Sequence, residues 1–239
     1  MAISTIAKPR ASASPKSELR QRMSRSWEVL RWRGPLVFLL LAFREVLSPV
    51  FYWHAWHIFE DDIRLPHPET GGKFRVLIYD GAQCDVGLRE EIVAMGELTS
   101  AEVDERFRRG DAIAMAYAEG RAVGYSWICF SDEIELAFGT QWIVRPKEAV
   151  FHGSFTLPEW RGQRIHSVLD AGMCRHALGR GIRRKLACIG VFNLSSLNLM
   201  KRTGDRRTMA VILIRLRGTN RVYGKAIGKR LESRFHMPA

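Results

Sequence analysis

The sequence holds only four cysteines, and none stands in a site-building pattern. Cys84, Cys129, Cys174 and Cys188 form no CxxC pair and no Cys/His cluster of zinc spacing, so no metal site is expected and a reducing, cytoplasmic compartment is the reading. Long apolar runs are missing too. Pro35–Phe43 is nine residues without charge, closed by Arg44-Glu45, against the roughly 20 that a membrane-spanning helix needs. The segment that follows it, Arg-Glu-Val-Leu-Ser-Pro and then an aromatic cluster, makes a poor signal-peptide cleavage site. Acid is scarce as well: 25 Asp and Glu face 37 Lys and Arg, leaving a formal charge of +12.

What is present is globular. Hydrophobic residues at 46% and charged residues at 26% exclude a disordered polar chain and a multi-span membrane protein. The length of 239 residues suits one domain with an arm, or two small ones. The charge is unevenly spread: residues 1–33 carry +6, 57–120 carry −7, 161–200 carry +6 and 201–239 carry +9. An acidic middle lies between basic ends.

Residues 1–26 are rich in Ser, Ala, Arg and Lys and read as a disordered basic start. Residues 27–65 reverse that composition. Trp27, Trp32, Trp53 and Trp56 stand among Arg25, Arg31, Arg33 and Arg44, so residues 27–59 suit either an anionic membrane surface, on the inner face of the membrane, or a helical arm packed on protein. His54 and His57 at i and i+3 would share a helix face, but no third metal ligand accompanies them.

The main domain is expected over 66–217 and a basic tail over 218–239. Strands are expected at Phe74–Tyr79, Asp111–Glu119, Ala122–Phe130, Glu133–Val144 (a pair or one bent strand), Phe151–Leu157, Leu186–Val191 and Met209–Leu216. Helices are expected at Arg89–Met95, Ser100–Arg108, Ile165–Gly179 and Ser195–Arg202, with a further helix in the tail.

The stretch from His152 to Gly204 joins strand, tight turn, helix, strand and helix without spare residues. Its turn opens a helix whose unpaired N–H groups and dipole favour an anion, and Arg161 and Arg164 add charge of the right sign. Pro158-Glu-Trp-Arg161-Gly-Gln-Arg164-Ile-His166 resembles the cofactor loop of the GNAT N-acetyltransferase family. The hairpin Ala118–Trp127 resembles the strand pair before that loop, and Val191-Phe-Asn193-Leu-Ser-Ser196 the V-x-x-N-x-x-S element after it. The likeness covers about 74–217.

The resemblance implies an α+β fold, with a mixed, mostly antiparallel central sheet flanked by helices, preceded here by the aromatic, basic helical arm. It implies acetyl-CoA or another acyl-CoA as co-substrate, and direct acyl transfer to the amine of a small polar acceptor. By the same resemblance Phe155, Thr156 and Leu157 would meet the pantetheine, Arg161, Gly162, Gln163, Arg164, Ile165 and His166 would hold the pyrophosphate, and Asn193 and Ser196 would line the pantetheine exit. Arg183, Arg184 and Lys185 read as a solvated basic patch rather than a 3′-phosphate site. His152 ranks first as proton acceptor, with Glu135 (and Glu133) as the alternative.

Three departures from the family pattern stand out. Arg164 and His166 stand where it has glycines or small residues, which restricts how closely the backbone approaches phosphate. Met200 stands where it often has a Tyr acid and cannot give up a proton. Gly204-Asp205 replaces its Gly-Phe. The leading reading is therefore a bacterial-type acyltransferase held at a membrane surface, its acceptor an amino-sugar precursor of surface polysaccharide. The competing readings are a catalytically degenerate adaptor on the same fold and a nucleic-acid binder. The last is disfavoured, because Tyr223 and Phe235 are the only aromatic residues beside the +9 tail.

Overall fold

The computed structural model describes residues 50–64, 73–203, 206–219, 221–228 and 235–236, with single positions at 39, 46 and 47. The expected basic start, most of the arm and part of the tail lie outside these residues. Among the described residues no helix is long and apolar enough to cross a membrane. The chain divides into two compact units. One comprises Glu60–Asp132 and Val144–Cys188, the other the flanking segments with the insert Glu133–Ile143.

In the first unit, strands β2 (Arg75–Tyr79), β3 (Ala112–Ala118), β4 (Arg121–Cys129), β7 (Glu148–Thr156) and β8 (Arg184–Gly190, which ends in the other unit) follow the order β8-β7-β4-β3-β2. Every pairing is antiparallel except β7 with β8. The sheet is central and mostly antiparallel, as the sequence led us to expect.

Both faces of this sheet are covered, and β3 shows why. Its sequence AIAMAYA alternates small and large side chains, which leave a strand on opposite faces. Ala114, Ala116 and Ala118 pack with Ile165, Leu169, Met173 and Ala177 of helix α3 (Ile165–Gly179). The small strand residues let that helix come close. Gly172 makes the same point, since a Cβ there would stand 2.7 Å from Val76 Cγ1.

On the other face, Ile113 and Met115 pack with Leu88 and Ile92 of helix α1 (Val86–Ala94) and with Val103 and Phe107 of helix α2 (Ser100–Arg108). Thr99 and Glu102 form a capping box that starts α2, each satisfying an otherwise unpaired N–H of the helix end. Val103 and Phe107, one turn apart, are its buried stripe.

The second unit holds β10 (Val222–Gly228) paired with β9 (Arg206–Leu216), β9 beside β1 (Phe51–Asp62), the hairpin β5 (Glu133–Ala137) and β6 (Thr140–Ile143) joined by β11 (Phe235–His236), and helix α4 (Leu194–Thr203).

Two expectations are corrected here. The end of the aromatic arm is a strand: the run Phe-Tyr-Trp-His-Ala-Trp-His-Ile-Phe is rich in aromatic residues, which suit a pleated surface. His54 and His57 therefore leave opposite faces instead of sharing one. Where a tail helix was expected, the described residues of the basic tail form β10 and β11. Its Val222, Tyr223 and Ile227 suit a strand, and its charges occupy the exposed positions of an edge.

Candidate functional site

β4 and β7 do not stay in register. Tyr125 faces Phe155, but Trp127 faces His152, so Gly153 and Ser154 together oppose the single residue Ser126. This is a β-bulge, and Gly153 takes the positive φ of 59° that it needs. Gly153 and Ser154 are exposed, and Ser154 Oγ shares a 2.7 Å hydrogen bond with Ser126 Oγ.

Under the bulge lies a buried polar cluster. Asp111 is fully buried, its carboxylate hydrogen-bonded by Arg109 Nε at 3.1 Å and by Arg109 Nη2. His152 Nε2 comes within 3.5 Å of Asp111 Oδ2, and neither ring nitrogen of His152 has a hydrogen-bond partner. Burial, joined by Arg106 and Arg109, holds His152 below its ordinary value, so the imidazole is neutral at pH 7. Burial pushes Asp111 up, but Arg109 and His152 more than offset it and leave the carboxyl below its ordinary value. Neighbouring Cys129, buried beside Asp111, is pushed up to about 11 and stays a thiol. His152 falls within the strand expected over Phe151–Leu157. It lies inside β7, directly before the bulge, because the strand begins at Glu148.

The α2 side of the bulge carries Arg106. Its Cζ lies 5.0 Å from the Trp127 ring centroid. Arg106 Nη1 and Trp127 Nε1 are both buried without a hydrogen-bond partner. Sequence reading missed Arg106 and Trp127, for which no local motif speaks.

β7 has parted from β8 before the bulge is reached. Their ladder runs from Glu148/Arg184 to Val150/Leu186 and goes no further. Phe155 and Thr156 are half-buried on the continuing strand, and Leu157 N–H donates to Val123 O at 3.0 Å. Gly124 sits beneath them, where a Cβ would come within 2.8 Å of Phe155 O.

The turn that follows starts α3 without a side-chain cap. Arg164 is the N-cap residue of α3 in the left-handed region, with φ 61°, and its side chain caps nothing. Gly162 has φ 82° and open space around it. Ser167 and Val168 N–H donate to Arg164 O at 3.0 and 3.4 Å, and Arg161 and Arg164 are both exposed beside the positive dipole end of this 15-residue helix. Arg161 Nε donates to Thr156 O at 3.3 Å, which holds it over the strand end. Ile165 is buried in the core as the helix's first anchor, while His166 is half-buried in the first turn.

Lys73, which sequence reading passed over, reaches this turn from 90 residues away. Its Nζ donates to Gln163 Oε1 at 2.5 Å and lies 5.6 Å from the Trp160 ring centroid. By contrast, Arg184 and Lys185 pair with the opposite end of β7, at Glu148 and Ala149. Arg184 lies 3.6 Å from both Asp62 and Glu148, and Lys185 3.5 Å from Asp170. They are ion-paired structural residues.

The remaining expected residues belong to the other unit. Asn193 Oδ1 accepts from Ser195 Oγ at 2.9 Å and from Ser196 N–H at 3.3 Å, so this trio starts α4. Glu135 Oε1 accepts from Gly139 N–H at 2.9 Å and so ties its own hairpin. Met200 is buried in α4.

A bulged strand that parts from its parallel neighbour, then a phosphate-suited turn, matches what comparison finds: the profile of the acetyltransferase (GNAT) family aligns with residues 84–204, just over half of the chain. The chain belongs to the GNAT family. GNAT proteins use acetyl-CoA or another acyl-CoA as co-substrate. No curated protein matches the sequence.

Solved structures are similar to this chain in fold at low identity. A functionally unknown conserved protein from Staphylococcus epidermidis superposes with a TM-score of 0.51 at 12% identity, covering 73% of this chain and 65% of that one. A tandem GNAT protein from the clavulanic acid biosynthesis pathway gives 0.50 at 12%, covering 75% and 58%. A GNAT-family protein described as a putative acetyltransferase, from Novosphingobium aromaticivorans, gives 0.49 at 17%, covering 70% and 65%. The chain spans less than two thirds of the length of each.

Proposed function

We propose that this GNAT protein is an acyl-CoA-dependent N-acyltransferase acting on the amine of a small polar metabolite. The observation that carries the reading is the open run of β7 from the Gly153 bulge to the turn before α3. Beyond Val150 no β8 residue pairs with it, so its backbone groups can bind an extended chain, and the α3 N-terminus can bind phosphate. The turn fits a pyrophosphate sterically, because Gly162 has no neighbour within 4 Å of its Cβ position and Arg164 points its side chain outward.

Phe155, Thr156 and Leu157 would line the pantetheine, and Arg161 to His166 would hold the pyrophosphate, with Lys73 supplementing their charge. The backbone at the bulge would polarise the thioester carbonyl, stabilising negative charge as it develops. The acceptor nitrogen forms the new C–N bond, the C–S bond breaks, and CoA leaves as thiol.

Two protons leave the acceptor nitrogen, one from the ammonium before attack and one after the C–N bond forms, and the leaving thiolate takes up one. His152 is the proton acceptor in this proposal, neutral at pH 7 and adjacent to the bulge, working through water. Glu135 is the alternative base, and its carboxylate already accepts from Gly139. Met200 cannot protonate the leaving thiolate, so that proton comes from solvent.

An amino-sugar precursor is the proposed acceptor, and the aromatic, basic residues of the arm a proposed contact with an anionic membrane surface. Thiol release from acetyl-CoA with a panel of amino sugars tests the function. Amine-dependent thiol release that falls at least a hundredfold in His152→Gln supports it. Thiol release that no amine accelerates refutes it.

A further inference from the structure

Two buried N–H donors without partners converge beside the same exposed glycine. Arg106 Nη1 would stand 2.6 Å from a Cβ on Gly153, and Trp127 Cδ1, bonded to the orphan Nε1, 3.3 Å from it. Buried polar groups are nearly always hydrogen-bonded, and an orphan on a cation is the costlier kind. Packing alone does not account for the pair, since an apolar side chain would fill this place without desolvating a charge.

The charges around Arg106 leave it uncompensated. Asp111 is the nearest carboxylate and already binds Arg109 through two N–H groups. Glu102, also within its field, is held by the backbone N–H and hydroxyl of Thr99 at 2.9 and 2.8 Å. Tyr125 and His152 are both neutral at pH 7, because burial raises the phenol and lowers the imidazole. The cluster of Arg106, Arg109, Asp111 and His152 therefore carries one net positive charge beneath an exposed backbone bulge.

We infer that the substrate group seated at the Gly153 bulge carries a carboxylate, held by the Arg106 guanidinium and the Trp127 indole N–H. The assignment rests on the acyltransferase reading above and narrows its substrate class. A carboxylate offers two oxygens and one negative charge, which match two convergent donors of which one is cationic. The glycine matters for the same reason, since any Cβ would occupy the approach. The carboxylate comes either from the acyl chain, as in a dicarboxylic acyl-CoA, or from the acceptor, as in an amino acid.

The test uses the full chain and two matched arms. In one, succinyl-CoA and acetyl-CoA are compared by calorimetric binding. In the other, acetyl-CoA turnover is compared across amino acids and their uncharged amides. In one arm the carboxylate-bearing member is expected to win by about ten- to a hundredfold. Arg106→Met is expected to erase that preference, read as the ratio of charged to neutral member within the same protein, and Arg106→Lys to keep part of it. Parity between charged and neutral members in both arms overturns the inference, as does a preference that survives in Arg106→Met. If wild-type protein binds neither acyl-CoA, the acyltransferase reading itself has failed, whereas acetyl-CoA binding with parity overturns only the carboxylate.

Discussion

Arg106 lies across Gly153. The guanidinium Nη1 occupies space 2.6 Å from where a Cβ of residue 153 would stand, and the glycine's φ of 59° belongs to the region that disfavours side chains. Gly153→Ala should therefore displace Arg106 and strain the bulge together. We expect a loss of about 1–3 kcal/mol in stability, read from the urea midpoint, with turnover falling at least tenfold. Full activity in Gly153→Ala would detach the bulge from the chemistry.

The burial of His152 sets a pH dependence of stability, against the opposing pull of Asp111. The folded imidazole sits below its ordinary 6.5, so between those two values the unfolded chain binds the extra proton. Stability is then complete above about pH 6.5 and falls as the solution is acidified below it. His152→Gln should flatten that slope without abolishing it, since His57 and His176 are also held low by burial. Asp111, lowered from 3.8, contributes only at more acid pH. Urea midpoints from pH 7.5 to 5 check the slope; an unchanged profile in the variant would contradict it.

Around the α3 turn, Arg161→Ala should weaken acyl-CoA binding about tenfold, and Lys73→Ala severalfold. Both losses should shrink as salt rises, because exposed charges are screened. Titration at two ionic strengths separates this from a packing defect, which salt would leave in place.

Leu169 is fully buried in the α3 cluster against the β3 alanines. Leu169→Ala should cost about 2–5 kcal/mol of unfolding free energy through the cavity it leaves. A thermal or urea transition unchanged within 1 kcal/mol would mean that α3 is not packed as described.

Much of this fold was legible because local signals agreed with it. Helix α2 announces itself through Thr99 and Glu102 and through Val103 and Phe107 at a one-turn spacing, and α3 through its stripe of Ile165, Leu169 and Met173. The phosphate-suited turn reads from Arg161-Gly162 between strand and helix. What escaped was set by tertiary pairing. The aromatic arm's end has no alternation that separates strand from helix, and only its pairing in the sheet decides. Arg106, Trp127 and Lys73 meet their neighbours through contacts among segments far apart in the chain, which no spacing encodes. His152 was placed on the right strand, but the burial beside Arg106 and Arg109 that keeps it neutral comes from segments far away in the chain.

The most direct test of the account is calorimetric titration of acetyl-CoA into the full chain, beside the same titration of Arg161→Ala. The account predicts saturable one-to-one binding, weakened about tenfold in the variant. Absence of binding to the wild-type protein, or equal affinity in both, would contradict the assignment of β7 and the α3 turn as an acyl-CoA site.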